Sequence, residues 1–296
     1  MMSEKKKVAI LGVGKMGAAI ARELVAGGVD VVLWNRNIES SRKLVESLNS
    51  PLLTIADTPR TAVENVDFVL CTFADGQVAE KILTSDPDLF TGINPQLIVA
   101  DLGTSGVLSI KSIASKLKAN SIKFLDCPVS GSVATIAMHQ LLIMASGEQA
   151  DVDAARPIFD LFSKKVLYLG PAGAGQAMKL AVNLIVHSLN AAVSEGLALA
   201  CASGISPEAA YDVFEESVVA APFVKYKRIA FLDSTAPVAM RIDTVSKDMG
   251  LILELGRLQN VPLGAAAAVA RLYSQAQAGG FESDDMASLS RFLQKS

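Results

Sequence analysis

Histidine is scarce in this chain: only His139 and His187 occur in 296 residues. That leaves little material for a Ser-His-Asp triad or a histidine-ligated metal site. Cysteine is nearly as sparse. Cys71, Cys127 and Cys201 are odd in number and widely spaced, which excludes a disulfide framework and points to a reducing, cytoplasmic compartment. No Cys/His spacing suggests a metal, so none is expected. Long runs of one charge are also missing, and the net charge is −3. Nucleic acid is therefore not an expected partner. Aromatic residues make up 5% of the chain against 51% hydrophobic residues. Such a core is built from Leu, Val, Ile and Ala, as parallel sheets and packed helices require, and disorder is excluded.

The length suits two domains. The opening MMSEKKKVAILGVG superficially resembles a signal peptide, but its apolar run is short and a glycine fingerprint interrupts it. Lys7–Leu11 reads instead as a first strand. A second stretch, Gly173–Gly204, is apolar enough to suggest a membrane span. Lys179 and Glu195 break its apolar run, so a buried core helix is the better reading and no membrane is expected.

Up to about residue 170 short apolar runs alternate with helical patterns, the signature of βαβ units. VAIL (8–11), VVLW (31–34), DFVLC (67–71), LIVA (97–100), KFLDC (123–127), LLIM (141–144) and VLYL (166–169) read as strands. Thr58-Pro59 and Ser206-Pro207 are helix starts. EQADVDAARPIFDLF, from Glu148, reads as a helix despite Pro157. Beyond Gly175 strand signals stop, and helical patterns cover 207 onward, 244–259, 262–278 and 284–293. The expected fold is α/β: an N-terminal Rossmann doubly wound sheet (1–172), followed by an all-α C-terminal domain (173–296).

The first strand runs into Gly12-Val13-Gly14-Lys15-Met16-Gly17, a G-x-G-x-x-G fingerprint between strand and helix. Gly12 permits the tight turn, Gly14 lets backbone approach a pyrophosphate, and Gly17 allows close helix–strand packing. The helix N-terminus offers N–H groups to the anion. An NAD site usually has an acid at the end of the second strand. Here the sequence is Trp34-Asn35-Arg36-Asn37. Without a carboxylate, and with Arg36 able to fork onto a 2′-phosphate, the pattern favours NADP(H).

Three further motifs carry chemistry. Asp126-Cys127-Pro128-Val129-Ser130-Gly131-Ser132 follows a strand, where a Ser-Gly-Ser loop offers hydroxyls and N–H groups to a carboxylate. Gly173-x-Gly175-x-x-x-Lys179-x-x-x-Asn183 puts lysine and asparagine on one helix face, a stripe that His187 and Asn190 extend. Lys247-Asp248 lies among apolar residues of a later helix. Each has a plainer reading: a turn, a lysine snorkelling to solvent, and a surface pair.

Taken together and in order, these motifs resemble the β-hydroxyacid dehydrogenase family (3-hydroxyisobutyrate dehydrogenase-like) along nearly the whole chain. GVGKMG, DCPVSG, GAGQAMKLAVN and the late KD pair are similar to that family's motifs. The resemblance implies reduction of a small carboxylate-bearing carbonyl acid, with Lys179 as general acid/base and Asn183 and Ser130 beside it. It implies substrate contacts from Ser130, Gly131, Ser132, Asn183, Met240 and Lys247. Cofactor contacts are implied for Gly12, Gly14, Lys15, Met16, Asn35, Arg36, Phe73, Ala74, Thr104, Lys247 and Asp248. It also implies a homodimer through the helical domain. WNR, PVSGS and K-L-x-V-N are most similar to the NADPH-linked glyoxylate and succinic semialdehyde reductases. The chain departs from its relatives at His139 and Met240, both expected near the substrate pocket. The alternatives are a 3-hydroxyisobutyrate-type dehydrogenase, an imine reductase-like enzyme and a non-catalytic NADP-binding module. Lys179 argues against the imine reductase, and Lys179, Ser130 and Asn183 together argue against the non-catalytic module. A lysine desolvated in apolar surroundings can donate a proton near neutral pH.

Overall fold

Residues 8 to 11 of strand β1 (Lys7–Leu11) are all buried, because alternate side chains enter different cores. Val8 and Ile10 pack into one and Ala9 and Leu11 into another. A strand apolar on both faces belongs inside a sheet covered on both sides. The computed structural model describes residues 6–295, so the signal-like opening lies partly outside the described residues. It divides the chain into two compact units, Met1–Lys179 and Leu180–Ser296.

In the first unit β1 is followed by α1 (Lys15–Ala26), β2 (Asp30–Trp34), α2 (Ile38–Leu48), β3 (Leu53–Ile55) and α3 (Pro59–Val63). Then come β4 (Phe68–Cys71), α4 (Gly76–Thr84), β5 (Ile98–Asp101), α5 (Val107–Ala119) and β6 (Lys123–Asp126). The six strands pair in parallel in the order β3-β2-β1-β4-β5-β6. Strand order reverses between β1 and β4, and in such sheets ligands gather beyond the carboxyl ends of the strands at that point. Thr58 caps α3 with Pro59 in its first turn.

Continuing the unit are β7 (Val129–Ser130), α6 (Val133–Ala137), β8 (Leu141–Ala145), α7 (Gln149–Phe159) and β9 (Ser163–Tyr168). Pro157 sits inside α7 near its end. The three strands form a separate sheet, β7-β8-β9, with β7 antiparallel and β9 parallel to β8. A bridge between Asp126 and Ser146 joins the end of β6 to the residue after β8. The expected strand signals at 141–144 and 166–169 are thus strands, but of this smaller sheet. β3 was not anticipated: three residues are too few for alternation to register.

Helix α8 (Ala174–Ala202) begins in the first unit and continues in the second, and Gly204, at φ +87°, follows its end. The second unit adds α9 (Pro207–Glu216), α10 (Pro222–Leu232), α11 (Ile242–Leu258), α12 (Gly264–Ala276) and α13 (Leu289–Lys295). Ser206 caps α9 by accepting from the Ala209 N–H. Val193, Leu197, Tyr211, Val224 and Phe231 share a core. α10 was also not anticipated. Lys227 interrupts its apolar pattern, yet is buried against Asp285, 58 residues away, at 2.6 Å.

By length and composition α8 could cross a membrane, with a mean hydropathy of 1.4 over its most apolar window. The expected burial is confined to one stripe. Asn183, His187, Asn190 and Ser194 are buried along it, whereas Ile185 and Leu199 are 63% and 71% exposed. Asn190 donates 2.8 Å hydrogen bonds to the Tyr273 hydroxyl and the Met286 carbonyl. A polar stripe bonded to other helices of the same unit is the mark of a protein-packed helix.

The start of α8 tests the packing of the first unit. A Cβ on Gly175 would lie 2.6 Å from the Met144 oxygen, 2.8 Å from the Asp126 oxygen and 2.9 Å from Pro128 Cδ. Two of these are backbone atoms that cannot swing aside. Gly175→Ala is expected to destabilise the protein by about 1–3 kcal/mol, as overpacking does. An unchanged urea midpoint would contradict this packing.

Candidate active site

The glycine loop is closed beneath and open above. Gly12 has φ +101°, and a Cβ there would meet the Thr72 carbonyl at 2.9 Å. The Thr72 hydroxyl donates to the Gly12 carbonyl at 2.5 Å. A Cβ on Gly17 would collide with that same Gly12 oxygen. Gly14, by contrast, is exposed with nothing within 4 Å of an added Cβ, and no side chain caps α1 there. The uncapped start of α1 beside this open glycine fits a dinucleotide pyrophosphate.

Neighbouring residues divide between bracing the loop and facing outward. Asn35 accepts from the Val13 N–H at 3.0 Å and donates to the Asn37 carbonyl at 2.9 Å. Its side chain thus fixes the loop rather than reaching free into solvent. Arg36 is exposed and makes no hydrogen bond or ion pair with the described residues. Lys15 and Ala74 are exposed, and Thr104 is half-buried. Met16 packs partly buried against the core containing Val8 and Ile10, and Phe73 is buried in the core containing Ala9 and Leu11. Both therefore serve packing, whatever else they touch.

The turn after β7 is rigid. Ser130 is half-buried and opposite Leu142. Gly131 has φ +144°, and a Cβ there would strike the Thr135 hydroxyl. That hydroxyl accepts from the Ser132 N–H at 2.7 Å and donates to the Ser132 carbonyl at 2.8 Å. His139 is exposed at φ +51°, with Nε2 3.2 Å from Glu23 of α1.

Asp126 is the anchor of this unit. It is fully buried, and Oδ2 accepts from the Ser146 hydroxyl (2.8 Å), the Gly173 N–H (3.0 Å) and the Gln176 N–H (3.1 Å). Gln176 Nε2 donates to Oδ1 at 3.2 Å and to the Gly103 carbonyl at 3.0 Å. Gln176 Oε1 accepts from the N–H groups of Ser105 and Gly106 at 3.0 and 3.1 Å. The loop carrying Thr104 is thereby tied to the turn of α8 that precedes Lys179. Burial raises the Asp126 pKa, and the donors from Gln176, Ser146 and Gly173 hold it back. The thiol of neighbouring Cys127 is pushed well up by burial, so no ready thiolate stands here.

In the second unit Asn183, Lys247 and Asp248 come together. Asp248 is 2% exposed; Oδ2 accepts from Asn183 Nδ2 at 2.7 Å, and Oδ1 lies 3.0 Å from Lys247 Nζ. Burial pushes its pKa up, but His187 and Lys247 more than offset this and hold it below the usual range. Met240 is half-buried, and Asp285 fixes its backbone. Oδ2 of Asp285 accepts from the Ala239 and Met240 N–H groups at 2.9 and 3.2 Å, while Oδ1 pairs with Lys227.

Asp126, Gln176, Ser146, Lys227 and Asp285 were not singled out as site residues. Asp126 opens the D-x-P-V-S-G motif, and Gln176 lies three residues before Lys179, so both had a positional signal. Lys227 and Asp285 had none, because their meaning rests on each other.

Both parts of the chain match known families. The NAD binding domain of 6-phosphogluconate dehydrogenase matches residues 7–170, and the NAD-binding region of NADP-dependent 3-hydroxyisobutyrate dehydrogenase matches residues 173–293. Glyoxylate/succinic semialdehyde reductase 1 of Arabidopsis thaliana is 30% identical over 93% of this chain and 93% of its own length. The chloroplastic reductase 2 of the same plant is 29% identical over 95% of this chain and 78% of its own. Among solved structures, 3-hydroxyisobutyrate dehydrogenase of Mycobacterium tuberculosis, with L-serine, shares the fold. Its TM-score is 0.84 at 22% identity, over 98% of this chain and 99% of that one. A complex with NADP+ and 2-OPP has a TM-score of 0.86 at 21% identity, over 97% and 99% of the two chains.

The buried Lys227–Asp285 pair makes a pH-dependent contribution. Burial pushes the Asp285 carboxyl up, but Lys227 and the Ala287 and Met240 N–H groups hold it below its ordinary value. A depressed pKa means the stabilisation is present above the unfolded value of about 3.9 and is lost as pH falls through the folded value. Asp285→Asn leaves an unpaired buried ammonium and is expected to cost about 3 kcal/mol at neutral pH. The variant should also lose part of the wild-type acid slope below about pH 4. Urea melts at pH 7 and pH 3 check both, and equal losses at the two pH values would refute the linkage.

Proposed function

The chain belongs to the 3-hydroxyisobutyrate dehydrogenase family, and from that premise we propose that it reduces a small carbonyl acid with NADPH, using Lys179 as proton donor. Membership makes it an NAD(P)-dependent hydroxyacid dehydrogenase or reductase. The observation that carries the finer reading is the Asp126–Gln176 junction. It ties the first turn of α8, just ahead of Lys179, to the loop bearing Thr104. A proton donor and a loop expected beside the nicotinamide are thereby held to one buried framework, as preorganised catalysis requires.

Gly12, Gly14 and the first turn of α1 would hold the pyrophosphate, and Arg36 the 2′-phosphate. The bound dinucleotide supplies a hydride. The carbonyl oxygen gains negative charge as its carbon is reduced, and Lys179 Nζ gives it a proton. Neutral lysine then regains a proton from water. The Ser130 hydroxyl and Gly131 N–H bind the substrate carboxylate, while Asn183 orients the carbonyl. The reductases of glyoxylate and succinic semialdehyde among the relatives favour an aldehyde acid as substrate.

Lys179→Met keeps the apolar stem of the side chain and removes the proton. It is expected to bind NADPH normally while losing about 10²–10⁴-fold in turnover. Titration of the dinucleotide and steady-state rates with glyoxylate, succinic semialdehyde and a cyclic imine test this; wild-type-like rates with the aldehyde acids would overturn it. Arg36→Ala removes a charged hydrogen-bonding partner and should weaken NADPH about tenfold or more, leaving NADH nearly unchanged. Unchanged selectivity in kcat/KM would remove Arg36 from the phosphate site.

A further inference from the structure

His187 is fully buried on α8, and neither ring nitrogen has a hydrogen-bond partner among the described residues. A buried imidazole in that state loses hydration on both nitrogens. Its surroundings give it one polar neighbour. Nε2 lies 3.6 Å from Asp248 Oδ2, beyond a hydrogen bond but within ion-pair reach. On another side the ring meets Tyr273 edge to face, with centroids 6.4 Å apart. Tyr273 is itself held by Asn190 at 2.8 Å. The ring is thus lodged by packing, with Nε2 3.6 Å from the carboxylate.

The same oxygen, Asp248 Oδ2, accepts from Asn183 at 2.7 Å. A carboxylate oxygen can accept from more than one donor. Lys247 holds the other oxygen at 3.0 Å. Asp248 therefore has three partners, and only Asn183 among them lies on α8 with His187, one turn ahead of it. An amide can present either its oxygen or its NH₂ group to a neighbour, and a carboxylate fixes that choice. With Nδ2 committed to Asp248, the Asn183 oxygen is left to face elsewhere, and a carboxylate able to swing would release that commitment.

We propose that His187 is a positioning residue: it fixes the Asp248 carboxylate, which in turn sets the orientation of the Asn183 amide. This rests on the reading of Asn183 as a substrate residue. His187 touches neither substrate nor cofactor in this scheme. Its contribution is the angular restraint of a carboxylate that would otherwise be held by Asn183 and a half-exposed lysine.

Kinetics of three variants, backed by imidazole spectra, test it. His187→Phe keeps the ring packing and removes both nitrogens. It is expected to raise KM for the aldehyde acid about fivefold, the scale of one misaligned hydrogen bond, with kcat changed less than KM. His187→Gln restores an N–H donor near the Nε2 position and is expected to bring KM back to within about twofold. A wild-type KM in His187→Phe, or no recovery in a folded His187→Gln, overturns the proposal. Asn183→Ala separates the two readings. A raised KM there with a wild-type KM in His187→Phe refutes His187 alone, whereas an unchanged KM there refutes the role of Asn183 and the proposal with it. Should His187→Phe fail to fold, imidazole ¹⁵N spectra decide. The chain has two histidines, and Asp248→Asn is expected to move the His187 signals but not those of His139. Unmoved His187 signals overturn the contact.

Discussion

One buried carboxylate, Asp126, determines how α8 begins. The N-terminus of a long helix leaves backbone N–H groups without intrahelical partners, and α8 starts where Asp126 accepts two of them, from Gly173 and Gln176. Negative charge at that end also complements the helix dipole. Burying a carboxylate is costly unless its lone pairs are filled. Ser146 and the Gln176 side chain fill the remainder. The same glutamine amide then fastens the 103–106 loop. Removing any one of these groups would leave the others buried and unsatisfied, so the arrangement stands or falls as a unit.

The second unit repeats the device with other residues. Asp248 gathers Asn183, Lys247 and His187, while Asp285 gathers Lys227 and the backbone around Met240. In both cases an acid buried among small and apolar residues supplies direction that apolar contacts lack. Van der Waals packing tolerates rotation; a carboxylate with two or three donors does not. Of the residues assigned to chemistry by family resemblance, Asn183 and the backbone of Met240 each bond such an acid, and Lys179 follows by one turn Gln176, which bonds Asp126.

Much of this was legible in the chain. The glycine fingerprint after β1, the missing acid after β2 and the capping threonine and serine at 58 and 206 each act within a few residues. So does the alternation that buries β1 on two faces. Less legible were elements too short or too mixed for a period to show. β3 has three residues, and α10 carries a lysine on its buried side. Asn35, Met16 and Phe73 stood out as cofactor contacts by resemblance, and the fold gives each a second occupation, in a loop brace or in a core.

The sequence by itself determined what depends on local chemistry: the turn that glycine alone can make, the helix starts, the two-faced strands and the lysine placed one turn before an asparagine. Tertiary structure alone decided which buried polar groups meet. Gln176 reaches a loop about 70 residues back, Lys227 finds its acid 58 residues on, and Asn183 finds Asp248 65 residues on. A hydrogen bond requires closeness and direction within a few tenths of an ångström. A linear pattern records which groups need partners, and only the folded chain brings each one to its place.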